Sequence, residues 1–272
     1  MLISVCSLKG SPGVTTVAAG LALTWPGDDR FIAECDPSGG DLGSWARVPT
    51  QSTKGVGPLI RAVAQSSARP DLNDFIVDVY DWQGSAQQGR GLPVLLGLDN
   101  PDHVSGDPEG NWNRVARAIV THPGVVIADA GRVQPAAQTQ RELIARSAVV
   151  LVVVQPSIEQ ARYARARLPL LTSIRAGGGH DASTVRLVVI GEKPYHPSEF
   201  AGFLADAKVP TPVAAQIPFE PDKAGPHVVG AEPKRQRRSR VLGALAALAV
   251  ALEAEFVEHP VENKEMTGAA TA

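Results

Sequence analysis

The sequence predicts an α/β protein: a doubly wound, mostly parallel sheet flanked by helices. Short β-branched runs alternate with longer helix-compatible stretches, which is the order of a parallel α/β sheet. The runs are apolar without alternation, as expected for strands covered by helices on both faces. A glycine-containing loop joins the first strand run to the first helix run, where such folds place their ligands.

The first strand is read at Leu2–Cys6, extending to Ser7, and the first helix at Thr15–Trp25, stopped by Pro26 and Gly27. Phe31–Cys35 is the second strand. Further strands are expected at Val94–Leu98, Val125–Ala128, Val149–Val154, Val185–Ile190 and Val213–Ile217. Helices are expected at Glu109–Val120, Gln138–Ser147, Ile158–Ile174 (ending before Gly177, Gly178 and Gly179), Pro197–Ala207 and Ser239–Phe256. Between Asp41 and Pro93, scattered Pro, Gly, Gln and Ser leave only Val56–Ala64 looking helical, so this segment is read as an insertion lying over the sheet. Residues 1–257 are expected to form one domain, and 258–272, small and polar, a frayed tail.

Composition supports a packed core: 272 residues are 44% hydrophobic and 20% charged, which excludes a wholly disordered or fibrous chain. Lys+Arg 26 against Asp+Glu 28 gives a net charge of -2, so no global positive field draws nucleic acid or a membrane. The 26 Gly and 22 Pro point to many tight loops. Cys6 and Cys35, without a CxxC, argue against a disulfide framework and a structural zinc site, and make reducing cytosol the expected compartment. No signal peptide is read at Met1, and the longest apolar runs fall short of the ~20 residues that span a bilayer.

Three stretches carry chemistry. Lys9-Gly10-Ser11-Pro12-Gly13-Val14-Thr15-Thr16 follows a strand and opens a helix, so backbone N–H groups and the helix dipole converge on a place for an anion. Glu34-Cys35-Asp36-Pro37-Ser38-Gly39-Gly40-Asp41 ends the second strand with acids. Val125 to Gly131 ends another strand on Asp129. Taken alone, each has a plainer reading, as a tight connection or an Asp-capped turn.

Together they resemble the ParA/MinD family of P-loop ATPases, whose deviant Walker A box reads K-G-G-x-G-K-T-T. Lys9, Gly10, Gly13, Thr15 and Thr16 match that box; Ser11 stands at its second glycine and Val14 at its principal phosphate lysine. The resemblance implies a P-loop NTPase fold, ATP with Mg2+, a nucleotide-linked homodimer, and a cargo that is positioned or partitioned: DNA, or division, pilus or secretion machinery. It places Lys9, Gly10, Ser11, Gly13, Val14, Thr15, Thr16 and Gly131 at the nucleotide. Thr15, Asp36 and Asp129 fall at the metal. Asp36, in the D-x-D-P segment where Glu34 replaces the earlier Asp, would orient the attacking water, and Lys9 would reach across the dimer to the partner's phosphates.

Val14 deletes a charge-assisted contact of roughly 1.5–3 kcal/mol, about a 10- to 150-fold loss of affinity, and Pro12 removes one loop donor. A non-enzymatic pseudo-ATPase scaffold, dimerising or binding partners without nucleotide, therefore stands beside the ATPase reading.

Lys234, Arg235, Arg237, Arg238 and Arg240 precede a helix whose apolar positions Val241, Leu245, Leu248, Leu252 and Phe256 share one face. Cations at this N-terminus and Glu253, Glu255 and Glu258 at the C-terminus oppose the helix dipole, so the charges should answer to groups outside the helix. Two readings stand: a final helix docked on the sheet, favoured by its Ala- and Leu-rich stripe, and a nonspecific DNA or membrane contact. The six scattered His residues are read as surface or loop residues.

Overall fold

The first strand, β1 (Leu2–Ser7), is an inner strand of an eight-stranded sheet whose order is β3-β4-β2-β5-β1-β6-β7-β8. The others are β2 (Arg30–Glu34), β3 (Val77–Asp78), β4 (Pro93–Leu95), β5 (Val125–Arg132), β6 (Val149–Val154), β7 (Val185–Ile190) and β8 (Val213–Ile217). This computed structural model describes residues 1–10, 12–46, 48, 53–79, 91–98, 110–134, 137–181, 184–223, 225 and 239–258. The strand pairs are parallel except β3 with β4.

Eight α-helices are assigned among the described residues: α1 (Val14–Thr24), α2 (Leu42–Trp45), α3 (Val56–Gln65), α4 (Asn111–Val120), α5 (Gln138–Arg146), α6 (Ile158–Gly177), α7 (Pro197–Asp206) and α8 (Arg240–Glu258). Ile3, Val5, Ile32 and Ile127 pack with α1 and α8 on one face, whereas Leu2, Phe31, Val126 and Ala128 pack with α3 and α4 on the other. Burial on both faces is the physical reason the strand runs carry no polar alternation.

The doubly wound sheet agrees with expectation, and three details differ. β5 continues to Arg132 rather than stopping at Ala128, because β1 and β2 flank it and the Cys35 N–H donates to the Asp129 carbonyl at 2.8 Å. The extra length carries Asp129 and Gly131 to the sheet's carboxyl edge. The strand expected at Val94–Leu98 pairs only over Pro93–Leu95. The segment after Asp41 does more than lie over the sheet: Val77–Asp78 pairs with β4 as an antiparallel edge, too short to leave a periodicity in the sequence.

The final helix is docked. Leu245, Leu248, Ala249 and Leu252 are buried against α1, and Leu245 sits where a Cβ on Gly20 would be. Arg186 of β7 donates two hydrogen bonds, of 2.7 and 2.5 Å, to the Glu255 carboxylate. That pair supplies the outside partner for an acid at the unfavourable end of the helix dipole. No helix among the described residues is long and apolar enough to cross a membrane. Lys234, Arg235, Arg237, Arg238 and the expected tail after 258 lie outside the described residues, as does Ser11.

Candidate functional site

The loop after β1 is shaped by two glycines with left-handed backbones, Gly10 (φ 66°) and Gly13 (φ 106°). The Ser7 hydroxyl donates to the Gly10 carbonyl at 3.0 Å, and Gly13 is the residue before α1, its carbonyl accepting the Val17 N–H at 2.9 Å. A Cβ on Gly13 would lie 3.1 Å from Ile190 Cδ1, so the loop runs close against the end of β7. α1 therefore begins on the sheet's carboxyl edge with its N-terminus turned to the loop, the electrostatic setting that favours an anion.

Strand pairing brings the acids to the same edge. Val5 of β1 and Glu34 of β2 both stand opposite Asp129 of β5. The buried Asp129 carboxylate accepts the Gly131 N–H at 3.0 Å and lies near the Thr15 hydroxyl. Burial pushes it up to about 6, although both of these neighbours pull the other way. The Asp36 carboxylate packs against Gly131, accepts the Ser38 N–H at 2.8 Å, and is also raised, first by burial. Thr15, Asp129, Gly131 and Asp36 are thus brought together at the mouth of the loop.

These oxygen donors suit a hard divalent cation. Among the described residues no three His, Cys, Asp or Glu side chains cluster as an all-protein metal site. A hydroxyl and one or two carboxylates are what Mg2+ takes from a protein when substrate phosphates and water complete its octahedron, so the residues fit that ion. The fit to phosphate is mixed. Val14 is 6% exposed and belongs to an apolar cluster with Ile190, and the buried Pro12 carries no N–H. Thr16 keeps its side chain local, its hydroxyl accepting the Gly225 N–H at 3.1 Å.

Lys9 leaves the loop in another direction. Its ammonium lies over the Tyr163 ring of α6, 4.5 Å from the centroid. Its carbonyl accepts from Gln160 Nε2 at 3.1 Å, and Arg167 Nη1 donates to the carbonyls of Leu8 and Val133, each at 3.3 Å. α6 in this way ties the loop after β1 to the loop after β5.

Three supports take roles that the sequence reading does not assign, although it names Glu34 among the acids ending the second strand. Glu34, buried and pushed up to about 7 by that burial, accepts N–H bonds from Asp41, Leu42 and Gly97 at 2.7–2.9 Å. It fastens the Asp36 loop to the end of β4. Gln140 of α5 is fully buried, donating to Ala130 and Arg132 carbonyls and accepting the Gln134 N–H, so it brackets Gly131. The third is the Gln160, Tyr163 and Arg167 row; its i, i+3, i+7 spacing was a readable signal of one helix face, though not of the loop that face meets.

A pocket of about 570 Å³ adjoins the loop along the same edge, lined by Gln155, Ile190, Lys193, Gln216, Phe219 and Arg240 among others. Its size is that of a small-molecule site, typically roughly 300–1,000 Å³. Phe219 is 62% exposed, and Arg240 stands 3.7 Å from Glu220.

No protein-family model matches the chain, and no curated protein matches it in sequence. Solved structures do. A septum site-determining protein MinD from Pyrococcus horikoshii, complexed with Mg-ADP, superposes with TM-score 0.68 at 16% identity over 96% of this chain and 99% of that one. The fold is that of MinD and ParA. A ParA family ATPase from Chlorobium tepidum gives 0.66 at 14% identity (92% and 98% covered). The MinC:MinD cell division protein complex of Aquifex aeolicus gives 0.65 at 17% (93% and 96%).

Proposed function

We propose that the chain binds ATP with Mg2+ on the carboxyl edge of its sheet and dimerises around the nucleotide, as a divergent MinD/ParA-type protein that positions or partitions a cargo. The observation that carries this reading is the meeting of Thr15, Asp129, Asp36 and Gly131 at the N-terminus of α1. Three separate segments supply these residues, and an Asp-capped turn needs none of the others.

In this reading the loop from Lys9 to Thr16 surrounds the phosphates. Thr15, Asp129 and Asp36 would hold Mg2+, which when bound would supply positive charge to offset that developing on the phosphates. Gly131, whose N–H goes to Asp129, packs with its open Cα side against the Asp36 carboxylate, which would orient the water. The base and sugar enter the pocket beyond Ile190, where Phe219 offers a ring and Gln155 and Gln216 offer amides. Lys9 is turned away from its own loop, onto α6, and in this reading it serves a facing subunit once it leaves that position.

Val14 favours a second reading, a scaffold that kept the fold without the ligand, because its side chain fills core space instead of meeting a phosphate. Calorimetric titration with ATP-Mg, alongside Asp129→Asn, separates the two. Saturable heat lost in the variant supports the nucleotide reading, and no heat at millimolar ATP selects the scaffold. Light-scattering mass with and without ATP tests the dimer, which Lys9→Ala is expected to abolish.

A further inference from the structure

The environment of Lys9 is a built seat rather than a chance contact. Its backbone is fixed to α6 by Gln160, and its ammonium rests on the Tyr163 ring at 4.5 Å. The ring itself is set in place by Arg167, whose guanidinium carbon lies 5.6 Å from the same centroid while its Nη1 holds the Leu8 and Val133 carbonyls. Lys9, Glu159, Arg162 and Tyr163 then line one side of an open pocket of about 540 Å³ on the outer surface. A cation over an aromatic face is drawn to the ring's negative quadrupole, and two cations sharing one ring repel. The arrangement holds Lys9 firmly enough to define where it points, and loosely enough for a stronger anion to remove it.

We infer that Tyr163 is a positioning residue that seats the Lys9 ammonium on α6, and that Lys9 must leave this ring before it can meet a phosphate. The seat itself follows from the geometry alone; its consequence for assembly rests on the proposed nucleotide-linked dimer. Lysine on Tyr163 is not available to a second subunit, so the seat opposes dimerisation. An exposed cation–π contact corresponds to roughly a two- to fivefold change in an equilibrium constant. Tyr163→Leu, which removes the ring, is expected to tighten ATP-Mg-dependent dimerisation by about that factor, whereas Tyr163→Phe, which keeps the ring, leaves it unchanged.

The decisive measurement needs no nucleotide. In protein labelled with ¹³C-lysine, the Lys9 ε-methylene protons, assigned through Lys9→Arg, should be shifted upfield by the ring current in wild type and Tyr163→Phe, and return to the ordinary lysine position in Tyr163→Leu. An ordinary shift in wild type overturns the seat. Sedimentation with ATP-Mg across the three proteins then tests the consequence. Weaker dimerisation in Tyr163→Leu alone would overturn the opposing role and make Tyr163 a guide for Lys9 instead. If wild type never dimerises with ATP-Mg, the dimer reading and the assembly consequence fail together, while the ring-current result stands on its own.

Discussion

The Asp36 carboxylate occupies the space that a Cβ on Gly131 would need. The loop after β2 and the loop after β5 therefore meet at a residue without a side chain, and Gly131 has a left-handed backbone, φ 59°, that other residues adopt at a cost. On the proposed nucleotide reading both segments border the phosphates, and this contact would couple ligand to protein conformation.

Gly131→Ala should act on both. The backbone and steric penalties lower stability by about 1–3 kcal/mol, and displacement of Asp36 removes ATP-Mg affinity. In an Asp36→Ala background the same change should cost measurably less stability, since the collision is gone; thermal melts of the four proteins give the coupling. Additive effects would mean the two loops are not in contact in solution.

The raised carboxylates set the sign of the pH dependence. Asp129 and Glu34 are pushed by burial to about 6 and about 7 in the folded chain. Their unfolded values are about 4. The folded state therefore binds protons more tightly, and stability falls as pH rises through that window, with a slope approaching ~1.4 kcal/mol per pH unit for each proton released. The apo melting temperature should drop between pH 5 and pH 8, and Glu34→Gln should flatten the drop. A melting temperature that climbs over this range would contradict the buried, charge-crowded edge described above.

Legibility in the sequence followed how local each feature is. The apolar strands, the glycine loop and Asp36 and Asp129 announce themselves by residue type and spacing, and the structure places Thr15, Asp129, Gly131 and Asp36 together. Val77–Asp78 did not, because two residues take their strand conformation from β4 rather than from any pattern of their own. The partners of Glu34, Gln140 and Tyr163 were hidden for a related reason. Each of these residues acts on backbone or side-chain groups brought to it by the fold, from Glu34 to Gly97 and from Tyr163 to Lys9, and sequence spacing carries no record of such partners.

The docked final helix predicts that α8 is part of the core. Leu245 is fully buried between α1 and the sheet, so Leu245→Ala should cost about 2–5 kcal/mol in denaturant unfolding. Truncation before Ser239 also removes the burial of Leu248 and Leu252, roughly 1.5–3 kcal/mol each, and should leave no cooperative transition. A truncated chain that still unfolds cooperatively, and loses only an association with DNA or liposomes, would return the helix to a surface role.

Val14 is the residue on which the nucleotide reading turns, and Val14→Lys tests it directly. The present side chain is nearly buried beside Ile190, at the first position of α1. Lysine there forfeits apolar burial and puts a cation at a helix N-terminus, which by itself is unfavourable by roughly 0.3–1 kcal/mol, so the apo protein should melt lower. Its four-carbon stem allows the ammonium to turn out of the core toward the loop, where bound phosphate would accept it. Regaining a charge-assisted bond of about 1.5–3 kcal/mol should tighten ATP about 10-fold or more, read by calorimetry and as a larger ATP-dependent rise in melting temperature. Hydrolysis should gain less, because it depends also on Asp36 and Gly131 holding their places. A variant that melts lower and gains no ATP-dependent rise would show that the loop after β1 has lost the geometry of a phosphate site, and would leave the scaffold as the surviving account of this fold.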